Sequence, residues 1–337
     1  MKNNKPLLIS ILVILLLAAT IAAFLWGTVG VSFTTAAKVV LNHAGFSFPI
    51  ADAKIDFILW EVRLPRVIMT ILVGAMLSLA GLIFQGILRN ALADPFILGI
   101  SGGAAVGAGL AFVLGISLGF FGTPLFAFVG ALIATAIVYS VSTVDGKRSP
   151  ETLILAGVAI GSLAAAILAL MILVSGKLQP IYFWILGSFS GVSWNEVMIV
   201  LPYALIGFIL AMLFVKDLNA MLLGDETAVS LGIEVERSRT ILLVVGSLLA
   251  AAAVSLVGII GFVGLIVPHI LRLIFGTNHR VLVPLSIIGG ALLLVVSDLI
   301  SRMVVSPTEL PIGIITAFIG APFFIYLLRR RRKRDIL

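Results

Sequence analysis

Three arginines stand at the borders of uncharged apolar runs, where their chemistry is recognition of anions. Arg63 and Arg66 fall in Glu61-Val62-Arg63-Leu64-Pro65-Arg66, just before a long apolar stretch, and Arg302 lies near the end of another. Residues three apart share a helix face, and Pro65 suits a first helical turn. Guanidiniums so placed either snorkel to lipid phosphates or offer forked donors to carboxylates on a partner. Asp298 precedes Arg302 by four residues, so an ion pair along the helix is the structural alternative there. Asp94 and Asp298 are carboxylates near the ends of apolar runs. An intramembrane carboxylate is a candidate proton relay, but both sit close enough to an interface to cap or pair instead. His43, His269 and His279 show no zinc-ligand spacing, and no H-E-x-x-H occurs. Cys is absent, which excludes thiol and Cys-metal chemistry. With no nucleophile–base pair and no metal set, the chain is not expected to be an enzyme.

The elements that must position these residues follow from composition. Of 337 residues, 61% are hydrophobic and 11% charged, with a mean hydropathy of +1.26. A soluble domain carries roughly 25% charged residues, so a soluble globular enzyme is excluded. The apolar residues suffice for roughly ten spans of ~20 residues each. Uncharged runs occur near Leu7–Val29, Val67–Leu88, Pro95–Leu118, Thr123–Val144, Thr152–Ser175, Val197–Val215, Thr240–Ile260, Phe262–Phe275, Val281–Val305 and Leu310–Leu328. Their continuity predicts helices, because backbone groups in lipid must be satisfied within a helix or a closed barrel and barrel strands alternate. Phe262–Phe275, holding Pro268, His269 and Arg272, predicts a short or broken helix. The first run is longer than the usual signal-peptide core and lacks a small-residue cleavage site, so a retained span is expected.

Charge gives an orientation. With the N-terminus inside and ten crossings, sixteen of the 22 Lys and Arg fall on the inner side, six of them in Arg329–Arg334. Both termini are therefore expected in the cytoplasm. The net charge of +7 then reflects topology and anionic lipid, not a nucleic-acid partner. The expected organisation is one membrane domain: residues 1–6 cytoplasmic, 7–328 a ten-helix bundle, and 329–337 a basic cytoplasmic tail. No G-x-x-x-x-G-K-[ST] loop occurs, so any ATP that powers this protein must be bound by another chain.

Two further patterns bear on function. Gly99, Gly103 and Gly107 recur every four residues, as do Gly157, Gly161, Ala165 and Ala169. Such ridges let helices approach closely, and the same smoothness would suit a path where helices part. The segment 218–236 is the sizeable inner stretch with helical signals. Gly224 breaks the chain, Asp225 is placed to cap a short helix, Ala228 and Leu231 form an apolar edge, and Gly232 ends it. It would lie on the membrane surface or insert into a groove of a cytoplasmic partner.

The run Gly261-Phe262-Val263-Gly264-Leu265-Ile266-Val267-Pro268-His269-Ile270-Leu271-Arg272 resembles a signature of the iron-siderophore and vitamin B12 family of ABC-transporter permeases, the FecCD family. Glu309-Leu310-Pro311-Ile312-Gly313-Ile314-Ile315-Thr316-Ala317-Phe318-Ile319-Gly320-Ala321-Pro322-Phe323-Phe324 is similar to a second. Arg63-Leu64-Pro65-Arg66, Asn90-Ala91-Leu92-Ala93-Asp94-Pro95, Leu155-Ala156-Gly157-Val158 and Leu223-Gly224-Asp225 match further blocks in the same order.

The resemblance implies an all-α, polytopic B12-importer-type (type II importer) fold of about ten helices. It also implies a second permease subunit, identical or paralogous, two cytoplasmic ATPases and an extracytoplasmic binding protein in a bacterial cell membrane. ATP and Mg would reside on the ATPases, with no cofactor or metal on this chain. By the same resemblance, Arg63, Arg66 and Arg302 receive carboxylates of the binding protein. Gly224, Asp225, Glu226, Ala228, Leu231 and Gly232 dock on the ATPase, and the glycine-bearing third and fifth spans lie near the pathway. The implied cargo is a ferric siderophore, ahead of haem and cobalamin. The rival expectation is a stand-alone, proton-coupled secondary transporter using Asp94 or Asp298.

Overall fold

The structure is a computed structural model that describes residues 5–27, 29–49, 52–116, 122–143 and 149–332. Lys2, Lys147, Arg148 and tail residues 333–337, which entered the charge argument, lie outside the described residues. The described residues are helical, without a strand: α1 (Lys5–Leu25), α2 (Phe33–His43), α3 (Ala53–Phe57), α4 (Leu64–Ile87), α5 (Ile100–Leu114), α6 (Gly122–Val141), α7 (Pro150–Ser175), α8 (Leu178–Ile185), α9 (Trp194–Leu213), α10 (Val215–Met221), α11 (Asp225–Ser230), α12 (Val235–Val257), α13 (Val263–Phe275), α14 (His279–Met303) and α15 (Ile312–Arg332). A π turn (Ile58–Arg63) joins α3 to α4, and a 3-10 turn (Pro95–Leu98) precedes α5. Seven helices among the described residues are long and apolar enough to cross a membrane, Ala53–Ile87 counting as one. Ile100–Leu114, Val263–Phe275 and Ile312–Tyr326 are shorter apolar helices. Together they match the ten expected runs.

The helix α4 is buried along nearly its whole length and packs against α14, α12, α13 and α9. Glycine makes this possible. A Cβ at Gly81 would lie 1.9 Å from the Gly264 carbonyl oxygen, and one at Gly74 would lie 2.3 Å from that of Gly290. Backbone thus meets backbone where α4 crosses α13 and α14, the close approach on which helix association in lipid depends.

Several boundaries differ from expectation. Pro65 sits in the first turn of α4, as its type suggests, but the span begins earlier, because the helix already runs through α3 and the π turn. Proline lacks an N–H and crowds the carbonyl one turn back, and the wider π turn just before it relieves both problems. The expected run Pro95–Leu118 is divided. Asp94 Oδ1 accepts the Phe96 N–H at 2.8 Å and caps the 3-10 turn, and Gly99 takes a left-handed φ of 76° before α5 begins. The helix α8 fills what the sequence presents as a break.

The bundle has two ends. One carries Arg63, Arg302 and Glu309 and is called the arginine end. The other carries Lys5, Arg89 and Asp225 and is called the tail end.

Candidate functional site

At the arginine end the three predicted arginines come together, but beneath the surface. Arg63, Arg66 and Arg302 are 5%, 8% and 6% exposed. The Arg66 side chain is the hub. Its Nε and Nη2 donate to Asp298 Oδ1 at 3.0 and 2.8 Å, and its Nη1 donates to both Glu309 oxygens at 2.9 Å. Arg302 Nε lies 3.0 Å from Asp298 Oδ2, which is the i, i+4 pair named as the structural alternative. Arg302 also donates to the Ala23 and Trp26 carbonyls at 3.0 and 3.1 Å. Arg63 donates to the Phe24 and Leu25 carbonyls at 3.2 and 2.9 Å, and to that of Val29. The last carbonyls of a helix have no partner within it and form its negative end. Two arginines therefore complete the end of α1. Glu309, the first residue of the second signature and without a predicted role, is the carboxylate of this network with a side chain one-third exposed (33%). Three cations against two carboxylates leave the cluster one positive charge in excess.

At the tail end, α10 and α11 carry most of the segment 218–236 that is expected to dock on the ATPase, here termed the coupling segment. Asp225 does not cap α11; Gly224 precedes it at a φ of 110° and Asp225 is the first helical residue. Its carboxylate pairs instead with Arg89, just beyond α4, and with Arg239 of α12 at 3.0 Å from each oxygen. Arg239 also donates to Glu236 Oε1 at 2.6 Å. On α10, Asp217 accepts from Ser238 Oγ, while Asn219 Oδ1 accepts the His279 backbone N–H at 2.8 Å and lies 3.0 Å from His279 Nδ1. The segment is thus tied to α4, α12 and α14. Ala228 is buried and Leu231 exposed, so they do not share an apolar edge; the apolar residues facing outward are Leu223, Val229 and Leu231, beside exposed Glu226 and Gly232. In the sequence, Arg89 and Arg239 are two of the inner-side basic residues, Asn219 lies within 218–236, and His279 is one of three scattered histidines. Nothing in their spacing marks pairs this remote.

The five glycines separate by surroundings. A Cβ at Gly103 or Gly107 would strike the α6 carbonyls of Gly130 (2.3 Å) or Phe126 (2.0 Å), and one at Gly157 would lie 1.8 Å from Ile97 O. Gly99 is the left-handed residue before α5 and is not part of the α5 ridge. Gly161 has no described heavy atom within 4 Å of its Cβ position, and Ser162, Ala165, Ala166 and Ala169 beside it are exposed. The α7 ridge is thus packed near the tail end and open along its middle.

Comparisons with known proteins bear on the fold and the family. The FecCD transport family matches residues 14–330. The chain is 44% identical over 301 residues to the cobalamin import system permease protein BtuC of Halobacterium salinarum, covering 89% of this chain and 80% of the relative. It is 36% identical over 345 residues to the iron(3+)-hydroxamate import system permease protein FhuG of Bacillus subtilis, covering 98% of each. A solved structure of a metal-chelate type ABC transporter in an inward-facing conformation superposes with a TM-score of 0.83 at 31% identity, over 97% of this chain and 100% of that one. From the buried glycine crossings to the paired signatures, this chain belongs to the FecCD transport family of ABC-importer permeases.

Proposed function

We propose that the chain lines the translocation pathway of an ATP-driven importer of metal chelates, together with a second permease subunit, identical or paralogous. Both termini lie in the cytoplasm on this reading, and the tail end faces two ATPases that hold ATP and Mg. The observation that carries it is the segment α10–α11. It exposes Leu223, Val229 and Leu231 outward while Asp225, Asp217 and Asn219 fasten it to α4, α12 and α14. A push on that surface moves three core helices together, which suits a two-state switch between outward- and inward-facing forms.

The arginine end is proposed to meet a binding protein. Arg66 is its point of entry, because its Glu309 partner is the exposed one and an incoming carboxylate can take that place. The excess positive charge favours an acidic partner. The cargo is proposed to be a ferric siderophore, in line with the relative for iron-hydroxamate import. Cobalamin is the second reading, favoured by the higher identity to the cobalamin permease. Reconstitution with the ATPase and binding protein tests both: uptake of ferric hydroxamate should require ATP hydrolysis. Uptake driven by a proton gradient without the ATPase would overturn the proposal, and cobalamin uptake alone would replace the cargo.

A further inference from the structure

A second charged locus lies at the tail end, where α1, α13 and α14 converge. Arg272 projects from α13 one turn before its end. Its Nε and Nη2 are sealed from solvent, and neither has a hydrogen-bond partner. No carboxylate among the described residues pairs with it. Lys5, the first residue of α1, donates its ammonium to the Phe275 carbonyl at 3.1 Å, one turn from Arg272, and makes no ion pair among the described residues. The neighbouring titratable groups are His269, one turn earlier on α13, and His279 at the start of α14, whose Nδ1 lies against Asn219; an imidazole is neutral or cationic, so neither supplies a negative charge. Exposed Arg280 follows it.

Unlike the buried arginines Arg63, Arg66, Arg239 and Arg302, which are held by carboxylates or carbonyls, Arg272 has no counter-charge among the described residues. A half-buried guanidinium in that state calls for an anion from outside the chain.

The surroundings identify which anion. The helix α1 is almost wholly uncovered by the rest of the protein, with Leu7, Leu8, Ile11 and Ile14 exposed directly above Lys5. Leu273 and Ile274, next to Arg272, are exposed as well. This rim therefore faces acyl chains, with its cations at headgroup level, and basic pockets between transmembrane helices are recognised hosts for anionic headgroups. We propose that Arg272 and Lys5, with Arg280 at the rim, bind the phosphate of an anionic phospholipid in the leaflet at the tail end. The headgroup supplies the missing counter-charge, while Leu7, Leu8, Leu273 and Ile274 hold its chains. The site is distinct from the coupling segment and does not depend on which side of the membrane the tail end faces.

Native mass spectrometry of the full chain, incubated in detergent with equal phosphatidylglycerol and phosphatidylcholine, reads the lipid retained. The expected result is a phosphatidylglycerol preference of about ten-fold. It should fall towards parity in Arg272→Gln and in Lys5→Gln, recover in part in Arg272→Lys, and persist in Arg237→Gln at the coupling surface. Lys5→Gln alters only the first turn of a lipid-facing helix, so it carries the test if Arg272→Gln does not fold. Equal retention of the two lipids by the unaltered chain, or a preference that survives both substitutions, overturns the proposal. So does displacement of the lipid by millimolar inorganic phosphate, which would mark a free-anion site, or by the bound ATPase, which would mark a protein carboxylate as the partner.

Discussion

At the scale of the residue, charges inside this molecule act through the partners they lack in the sequence. Asp298 is buried between Arg66 and Arg302, so Asp298→Ala leaves two guanidiniums short of a counter-charge. Breaking a buried pair from one side costs about 3–5 kcal/mol, and thermal unfolding in detergent should show a marked fall in midpoint. Glu309 behaves differently because its side chain reaches solvent and its pair with Arg66 is partly screened. Glu309→Gln should leave stability nearly unchanged and remove the carboxylate charge facing Arg66 Nη1. If Arg66 is the entry point for a binding protein, affinity measured by surface plasmon resonance should rise about two- to five-fold, more at low salt than at high. Unchanged affinity would remove Arg66 from that role.

At the scale of the element, two glycines on one helix give opposite expectations. In α7, a Cβ at Gly157 meets the Ile97 carbonyl, whereas one at Gly161 meets open space. Gly157→Val should therefore separate α7 from the 3-10 turn and lower the yield of folded protein. Gly161→Val should fold normally, and, if the open middle of α7 faces the pathway, it should slow uptake. Normal uptake with Gly161→Val would assign that face to lipid or to the second subunit. The segment α10–α11 allows a similar separation. Val229 and Leu231 are exposed, so Val229→Asp with Leu231→Asp should leave the fold intact. Reconstituted uptake should fall about ten-fold or more if that surface seats the ATPase, since burying unpaired carboxylates is costly. Coupled transport at the normal rate would place the ATPase elsewhere.

At the scale of the whole molecule, the ends of the bundle can be assigned directly because the chain has no Cys. Thr34 at the arginine end and Thr227 at the tail end are exposed. In intact cells, a membrane-impermeant thiol reagent should label Thr34→Cys and spare Thr227→Cys, with labelling of the latter appearing once the cells are opened. The reverse pattern would invert the proposed topology and with it the placement of both partners.

The sequence by itself determined the class and the ten apolar runs. Continuous apolar runs of about twenty residues have one stable arrangement in lipid, and the distribution of Lys and Arg needs no coordinates to be read. It also showed that Arg302 has a carboxylate one turn away, a pairing set by helix geometry alone. Tertiary structure decided what those charges do. Arg66 meets Glu309, 243 positions on, and Asp225 meets Arg89, just beyond α4, and Arg239 of α12. Arg63 and Arg302 meet the carbonyl end of α1, and no local spacing encodes contacts of that range. The same holds for the glycines: Gly157 and Gly161 are equivalent in a helical pattern, and only the path of the Ile97 backbone separates them. Burial was the quantity hidden from the sequence. In a chain that is apolar on nearly every face, hydrophobic periodicity no longer tells inside from outside. Only packing showed that arginines expected at the surface lie within.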